Sequence, residues 1–357
     1  MKKRASVIVV FVCFFVFAGA VNAQEEPDTK GSSGGEDNQK EELLNRIEEL
    51  EKRINELTEE SRARRKLEIT EQEKQEKEKD VLEAVGREYS MDPKHSVGLD
   101  YVLSYGYSPS ERFDSQLLVT DTSDHTIKHI VTATYGVMDN VSASTTIPFV
   151  YRYDKLGSST EIDETDVGDF SAGVSFQPWK SKAGDIAKTF SLSATFPTGR
   201  SPYKINTETE LSTGGGIYSF TAGGSFSKQI DPVVAFWNLS YTYNLDATDL
   251  DHTIAEGYVL EKVKTGNEIA ASAGLAYALS YKVSVNTSVS YSYVFSHDYY
   301  YKNATSVLKS GDTVSATLGF GMGWKATNKT TLSFSLGYGL TATGFSMSVR
   351  VPFNFVL

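Results

Sequence analysis

Six charged residues interrupt runs of Ser, Thr, Asn and Gly in the alternating segments that follow residue 95. They are Asp100, Lys128, Arg152, Asp169, Glu268 and Arg350. Charges of both signs that face one aqueous passage can select solutes by charge. The same charges can instead neutralise one another and tie the wall together. The residues alone leave both interpretations open.

The positions of these charges in their predicted strands divide them into two groups. Lys128, Arg152, Asp169 and Glu268 fall near the outer ends of their strands, which predicts a mixed-charge mouth that filters solutes. The other two are Asp100, on the first predicted strand, and Arg350, on the last. Because these two strands must meet if the sheet closes, we expect Asp100 and Arg350 to pair across the seam.

Residues typical of catalysis or metal binding form no convincing group. The five histidines lie in predicted loops or near strand ends, at no metal-ligand spacing: His95, His125, His129, His252 and His297. The single cysteine, Cys13, lies in the apolar N-terminal run, so a processed chain has no thiol for a disulfide, metal site or nucleophile. No G-x-S-x-G elbow is present. A serine–histidine esterase is therefore the weakest of three functional interpretations, and no cofactor is predicted.

The last fourteen residues show the pattern that organises the chain. One parity carries Phe345, Met347, Val349, Val351, Phe353, Phe355 and Leu357, and the other carries Ser346, Ser348, Arg350, Pro352, Asn354 and Val356. Successive side chains of a strand point to opposite faces, so one face is apolar and the other mostly polar. The pattern recurs about twelve times after residue 95, which is typical of a transmembrane β-barrel with lipid outside and water inside.

The fold class predicted is therefore all-β: a transmembrane antiparallel up-and-down β-barrel of about twelve strands over residues 95–357. The strands are predicted at 96–107, 126–138, 140–153, 167–179, 187–198, 215–228, 233–245, 267–280, 283–296, 312–325, 330–338 and 344–357. Long polar connections alternate with short ones, as external loops and periplasmic turns do. The long ones are 108–125, 154–166, 199–214, 246–266 and 297–311.

Parity also predicts which side chains face lipid and which face the lumen. Outward candidates are Tyr101, Leu103, Tyr105, Phe170, Val174, Phe176, Phe190, Leu192, Phe196, Trp237, Leu239, Tyr241, Leu318, Phe320 and Trp324. Inward candidates are Ser142, Ser144, Thr146, Ser171, Ser175, Ser191, Ser193, Asn238, Ser240, Thr242, Asn286, Ser288 and Ser290. A barrel of about twelve strands is wider than the eight that side chains can fill, which favours a conduit.

Three segments precede the barrel. Residues 1–23 have a basic start, an apolar run and a small-residue cleavage site, which predicts a secretory signal peptide. Residues 24–40 form an acidic, flexible linker, and residues 41–85 a helical coiled-coil arm. The heptad positions are Leu43, Ile47, Leu50, Ile54 and Leu57. This arm is either a spacer or a segment that forms homo-oligomers or contacts the cell wall.

Composition fits this organisation. The net charge of −11 argues against nucleic acid as a partner, because phosphate binding needs a basic surface. Aromatic residues make up 12% of the chain, with 20 Tyr and 19 Phe, as expected for aromatic girdles at both bilayer interfaces. We therefore expect a barrel in the cell outer membrane, in contact with its lipid, with the arm in the periplasm.

Four segments resemble a known family: TYGVMDNVSASTTIPFVYRY, VGDFSAGVSFQPW, FSLSATFPTGRSP and LSTGGGIYSFTAGGSFSKQIDPVVAFWNLSYTYN. They are similar to the outer-membrane transporters linked to the meta-pathway of phenol degradation, with fatty-acid and toluene porins as a distant analogy. The resemblance implies passage of hydrophobic or aromatic solutes, without identifying one. The chain departs from the usual terminal Phe by ending in Leu357, while Phe353 and Phe355 keep the parity expected for recognition by the barrel-assembly machinery.

Two functions remain in competition at this point. The first is a passive channel for small hydrophobic or aromatic molecules. The second is a structural barrel whose helical arm contacts the cell wall or a partner protein. The sequence favours the first because small inward side chains leave room in the lumen.

Overall fold

A computed structural model describes two units of the chain, residues 1–68 and residues 69–357. The described residues are 46–47, 49–54, 91, 93–113, 119–156, 160–179, 185–206, 209–230, 232–255, 258–302, 306–327, 330–342 and 344–356. In the first unit the described residues are helical. Three predicted heptad residues, Ile47, Leu50 and Ile54, are exposed there. The predicted signal peptide, the linker and the rest of the arm lie outside the described residues, so the coiled coil stays a prediction.

The described residues of the second unit form seventeen strands. They are β1 (Ser96–Phe113), β2 (Val119–Met138), β3 (Val141–Leu156), β4 (Thr160–Val167), β5 (Phe170–Phe176), β6 (Ala187–Phe196), β7 (Ser219–Ile230), β8 (Val233–Asn244), β9 (His252–Ala255), β10 (Tyr258–Lys264), β11 (Glu268–Ala278), β12 (Val283–Val294), β13 (Asp298–Tyr301), β14 (Leu308–Lys309), β15 (Thr313–Thr327), β16 (Thr330–Gly339) and β17 (Phe345–Val356). No helix among the described residues is both long and apolar enough to cross a bilayer.

Thirteen strands form one closed antiparallel sheet. Their order is β2-β1-β17-β16-β15-β12-β11-β8-β7-β6-β5-β3-β4, and a pairing of β2 with β3 closes the ring. Both β4 and β5 pair with β3 and follow one another, so they count as one barrel strand and the barrel has twelve. At the seam, β1 and β17 pair from Ser96 with Val356 to Tyr107 with Phe345. The predicted barrel is confirmed.

Two predicted loops are largely strand. The β1–β2 ladder continues to Phe113 and Val119, inside the predicted loop 108–125. The predicted loop 154–166 likewise contains the end of β3 and most of β4. These segments lie beyond the apolar band, so neither of their faces needs to be apolar and the alternation that identified the strands stops. The backbone ladder does not depend on that alternation and continues.

The loops 246–266 and 297–311 also differ from their prediction as plain polar connections. They contain β9, β10, β13 and β14, which form a separate four-stranded sheet. Its core consists of Ala247, Leu250, Leu260 and Val263, and Tyr203, Ile217, Tyr299 and Tyr301 pack against that core. We call this sheet and its core the cap. It lies at the end of the barrel that carries the long loops, and we call that end the mouth and the opposite end the base.

The outer face of the barrel is apolar and exposed. Leu192 is 68% exposed, Leu239 57% and Phe320 51%, all at positions predicted to face outward. A groove of about 580 Å³ on this face is lined by residues that include Val174 and Phe220. Such a continuous apolar surface is what a bilayer covers, so this groove belongs to the lipid side and not to a solute path.

Candidate functional site

The lumen is tighter at the base than at the mouth. Inward side chains close to the short turns are buried, among them Ser96, Thr134, Ser227, Phe236, Ser284 and Ser333. On the same strands toward the mouth, inward residues such as Ser240 are half-buried and Ser290 is exposed. Exposure to water therefore increases along the lumen from base to mouth.

Phe236 contributes directly to the narrow base. This inward ring on β8 is 3% exposed, although its neighbours on the wall are small. It packs over Gly274 on β11, where even a methyl group would overlap the ring. Gly274 therefore provides the space that lets an aromatic side chain lie against the inner wall.

The polar wall of the lumen is internally hydrogen-bonded. The hydroxyl oxygens of Thr132 and Thr146 lie 2.9 Å apart, as do those of Thr221 and Thr242. Such cross-strand pairs satisfy polar groups that a narrow lumen would leave with few water partners. These two pairs satisfy four hydroxyl groups of the wall, whereas the buried Oγ atoms of Ser142 and Ser333 have no partner among the described residues.

Asp100 and Arg350 form the ion pair predicted across the seam. Arg350 Nε donates to Asp100 Oδ1 at 3.2 Å, and the side chains are only 15% and 6% exposed. The β1–β17 register places Asp100 opposite Pro352, one inward position from Arg350 along β17. The pair lies in the narrow part of the lumen, where a charge without a partner would be costly.

Arg152 connects the barrel wall to a loop at the mouth. Its guanidinium forms an ion pair with Asp124 on the neighbouring strand β2. One nitrogen, Nη1, also donates to the backbone oxygen of Ser212 at 3.0 Å and to its Oγ at 3.2 Å. Ser212 belongs to the connection between β6 and β7, whose described residues 197–206 and 209–218 we call the mouth loop. Arg152 therefore holds this loop against the inner side of β3.

Asp169 fastens both ends of the mouth loop. Its carboxylate accepts the backbone N–H of Gly199 at 3.0 Å through Oδ1 and that of Gly215 at 2.6 Å through Oδ2. A side chain at Gly214 would overlap this carboxylate, so the loop approaches Asp169 more closely than any residue with a Cβ atom allows. Hydrogen bonds from N–H groups to an ionised carboxylate are among the stronger ones in proteins.

Arg200, inside the mouth loop, forms a second connection to the wall. It pairs with Glu164 on β4 and with Glu210 of the same loop, the latter at 2.9 Å. The hydrogen bond that the Arg200 guanidinium donates to Glu164 raises its pKa, and the charges of Glu164 and Glu210 add to this effect. Arg200 therefore stays charged at any physiological pH and links the loop to β4.

Lys128 and Glu268 differ from the other predicted site residues. Lys128 is exposed and Glu268 half-buried, both on inward positions of their strands. Within the described part of the chain, neither side chain makes a hydrogen bond or an ion pair. The six predicted charges therefore do not form one cluster: two pair at the base, two hold the mouth loop, and two face the passage.

The other side of the mouth loop reaches the cap. Tyr203 packs against the cap core beside Tyr299. Burial, and secondarily the charge of Tyr299, raises the pKa of Tyr203 to about 12. Tyr203 lies near the middle of the loop, so the loop extends from the wall at β3 to the cap.

Histidines and acidic clusters play local roles in the structure. The Nδ1 atoms of His125 and His129 lie 2.9 Å and 2.7 Å from the hydroxyls of Tyr105 and Tyr101, on the outward face of β2. In the connection 246–266, Asp246 pairs with Lys262 at 2.7 Å. The described residues contain no group of three or more His, Cys, Asp or Glu that could hold a metal ion.

Most of the chain matches a known protein family. Residues 97–355 match the family described as "Putative MetA-pathway of phenol degradation", a match that covers well over half of the chain. The chain belongs to this family. An outer membrane channel from Pseudomonas putida F1 has the same fold: the TM-score is 0.56 at 12% identity, over 76% of this chain and 98% of that one.

Two further solved structures are similar at lower TM-scores. The translocator domain of the autotransporter NalP from Neisseria meningitidis has a TM-score of 0.45 at 11% identity, over 79% of this chain and 95% of that one. The monoaromatic hydrocarbon channel CymD has a TM-score of 0.37 at 9% identity, over 74% of this chain and 89% of that one.

The short motifs that carry the family resemblance meet in one place. Gly168-Asp169, Pro197-Thr198-Gly199 and Gly214-Gly215 come from three separate segments of the chain. Besides the Asp169 bonds, Thr198 Oγ1 donates to Gly168 O at 2.8 Å. In this chain the motifs therefore attach the mouth loop to the barrel wall.

Several residues of the mouth were missed by sequence reasoning. Asp124 lies in a segment predicted to be a loop, Glu164 in another, and Arg200 and Ser212 have no repeating pattern around them. The available signal was the family motif next to Arg200, which does not show what this loop contacts. Tyr203 gave no signal, because one aromatic residue in a polar connection does not predict a separate core.

Proposed function

We propose that this protein is an outer-membrane channel for the passive passage of small hydrophobic or aromatic solutes. The observation that carries the proposal is the closed barrel with a lipid-facing apolar surface and a lumen lined by Ser, Thr and Asn. Family membership supports a connection with aromatic compounds, and the related fold from Pseudomonas putida F1 is itself titled an outer membrane channel.

The mouth fits an apolar or aromatic solute better than an ionic one. Tyr203, Tyr299 and Tyr301 pack around the cap core, and most charges at the mouth already have partners. A solute entering there meets Lys128 and Glu268, two charges without a partner among the described residues. These two residues are our candidates for contact with the solute on its way to the base.

Orientation and partners complete this proposal. The mouth faces the outside of the cell and the base faces the periplasm, together with the arm at residues 41–85. The barrel-assembly machinery recognises the C-terminal strand β17, and the arm associates with a second copy through its heptad positions. Isolated peptide 41–85 should sediment as a dimer, and a monomer at high concentration would contradict this part.

Solute flux into vesicles tests the channel directly. The purified protein, with and without residues 24–94, is reconstituted and exposed to a panel of aromatics, fatty acids and sugars. We expect faster entry of small aromatics than of sugars of similar size. Vesicles in which no solute enters faster than in protein-free controls, despite a correctly folded barrel, would refute the proposal.

A structural role is the second candidate, and one observation favours it. Inward residues at the base are buried, with Ser227 1% exposed and Phe236 3%. A barrel closed at its base would serve as a membrane anchor for the arm. Absence of flux combined with binding of residues 41–85 to cell-wall material would support this function over the channel.

A further inference from the structure

The mouth loop contacts the barrel wall at β3 and β4 and, separately, the cap. On one side, Ser212 is held by Arg152 on β3 and Arg200 is paired with Glu164 on β4. On the other side, Tyr203 packs in the cap, whose strands come from the β8–β11 and β12–β15 connections. In the ring, the strands β5, β6, β7 and β8 separate β3 from β11. Because Arg152 occupies an inward position on β3, its bonds to Ser212 place that end of the loop on the lumen side of the wall.

The loop is also fixed at its two ends. Asp169 holds Gly199 and Gly215, and Gly214 N donates to Arg200 O at 3.2 Å. Thr213 Oγ1 donates to Val167 O and accepts the N–H of Arg200, both at 3.0 Å. The ends are therefore bonded to each other and to the wall, which removes the freedom of an ordinary surface loop.

Apolar burial holds the middle of the loop. Ile205 is 7% exposed and Leu211 6%. A flexible polar loop that moves aside for a solute would leave such side chains in contact with water. The loop is therefore held by buried apolar side chains in addition to its ionic contacts.

We infer that the mouth loop is a fixed constriction that sets the largest solute able to enter the lumen from outside, with Asp169 as the residue that positions it. The inference rests on the proposed function only in that solutes enter through the mouth. Pore diameter and lining decide selectivity in passages of this kind. The width of a twelve-stranded ring would then overstate the size of the solutes admitted.

Access to a cysteine below the loop tests the constriction independently of transport. Ser288→Cys places one thiol on an inward position of β12, in a Cys13→Ser background. Whole cells are treated with a small thiosulfonate or a bulky maleimide, and the two modification rates are compared. We expect fast reaction with the small reagent and slow reaction with the bulky one.

Releasing the loop should change only the second rate. Asp169→Asn removes the charge that accepts two N–H groups, and losing a charge-assisted hydrogen bond shifts a local equilibrium roughly tenfold or more. The bulky reagent should then react about tenfold faster, with little change for the small one. Thr213→Val, which removes two neutral links, should act in the same direction with less effect.

The matched control is Asp166→Asn, an exposed carboxylate whose described bond is to the N–H of Val167. It should leave both rates unchanged. Heat-modifiable mobility of each variant shows whether the barrel has folded. Equal rates of the two reagents in the parent, or no effect of Asp169→Asn and Thr213→Val in folded barrels, would overturn the constriction. Loss of flux with an unchanged access pattern would instead refute only the channel.

Discussion

Removing one partner of the Asp100–Arg350 pair should destabilise the barrel strongly. The two side chains are 6% and 15% exposed and hydrogen-bonded, with the 3.2 Å bond between Nε and Oδ1. Breaking a buried pair by removing one partner costs roughly 3–5 kcal/mol, because the remaining charge stays away from water. Lumen water lowers this penalty, so we expect Asp100→Asn to reduce the free energy of unfolding by about 3 kcal/mol.

The assay is reversible urea unfolding in lipid vesicles, followed by tryptophan fluorescence. Asp100→Asn, Arg350→Met and the double variant complete a double-mutant cycle. The double variant should cost less than the two single changes added together, by about 1–3 kcal/mol, because it leaves neither charge unpaired. Lys128→Met is the matched control, since it removes an inward charge without a described partner and should change stability little.

Additivity would refute this reasoning. If both single variants cost under about 1 kcal/mol and their effects add in the double variant, the pair contributes no coupling at the seam. Water in the lumen would then screen the two charges as effectively as bulk solvent, and the base would be wider than its burial indicates. The seam would have to be held by the β1–β17 ladder alone.

Three shorter predictions follow from exposure, packing and titration. Leu192 is 68% exposed on the lipid-facing surface, so Leu192→Arg should lower the free energy of unfolding by about 2–4 kcal/mol. Leu308 on the cap is 60% exposed to water, so Leu308→Arg should be nearly neutral. Equal effects of the two variants in urea unfolding would contradict a bilayer-facing surface. Gly274→Ala should destabilise the barrel by about 1–3 kcal/mol, because the added methyl group overlaps the Phe236 ring. Gly311→Ala should not, because nothing lies within 4 Å of its added methyl group. Equal urea midpoints of the two variants would disprove this packing. The pKa of Tyr203 is about 12 in the folded protein and 10.0 in an unfolded chain. The stability that the neutral Tyr203 side chain gives the cap is therefore complete below pH 10 and is lost as the pH rises toward 12. At pH 11 a protease should cut the cap of the parent protein but not that of Tyr203→Phe.

The barrel could be predicted because lipid imposes a simple rule on sequence. Every strand inside the bilayer needs an apolar face, so apolar residues alternate along it, as Phe345, Met347 and Val349 do in the last strand. This alternation locates the ends of most strands within a few residues. The rule stops at the edge of the apolar band. The outer ends of β1 and β2 and the whole of β9, β10, β13 and β14 therefore looked like loops, although they are strands.

The seam pair and the mouth differ in how far sequence reasoning could reach. Asp100 and Arg350 occupy inward positions on the first and last strands, so closure alone brings them together. Arg152 and Asp169 were found by the same parity, but their partners were not, because Ser212 and Gly215 lie in a connection without periodicity. Contacts between a strand and a distant loop depend on the path of that loop, which local pattern does not encode.

Residues of the same type therefore serve different purposes according to what packs beside them. Arg350 at the base is largely buried beside Ser333 and pairs with Asp100. Arg152 at the mouth has a loop backbone within reach, and its charge fixes the shape of that loop. Lys128 has neither, and its ammonium group faces the passage. If solutes are selected by charge, replacing Lys128 should alter that selection. Replacing Arg152 should instead alter the size limit, because the mouth loop loses its attachment to β3.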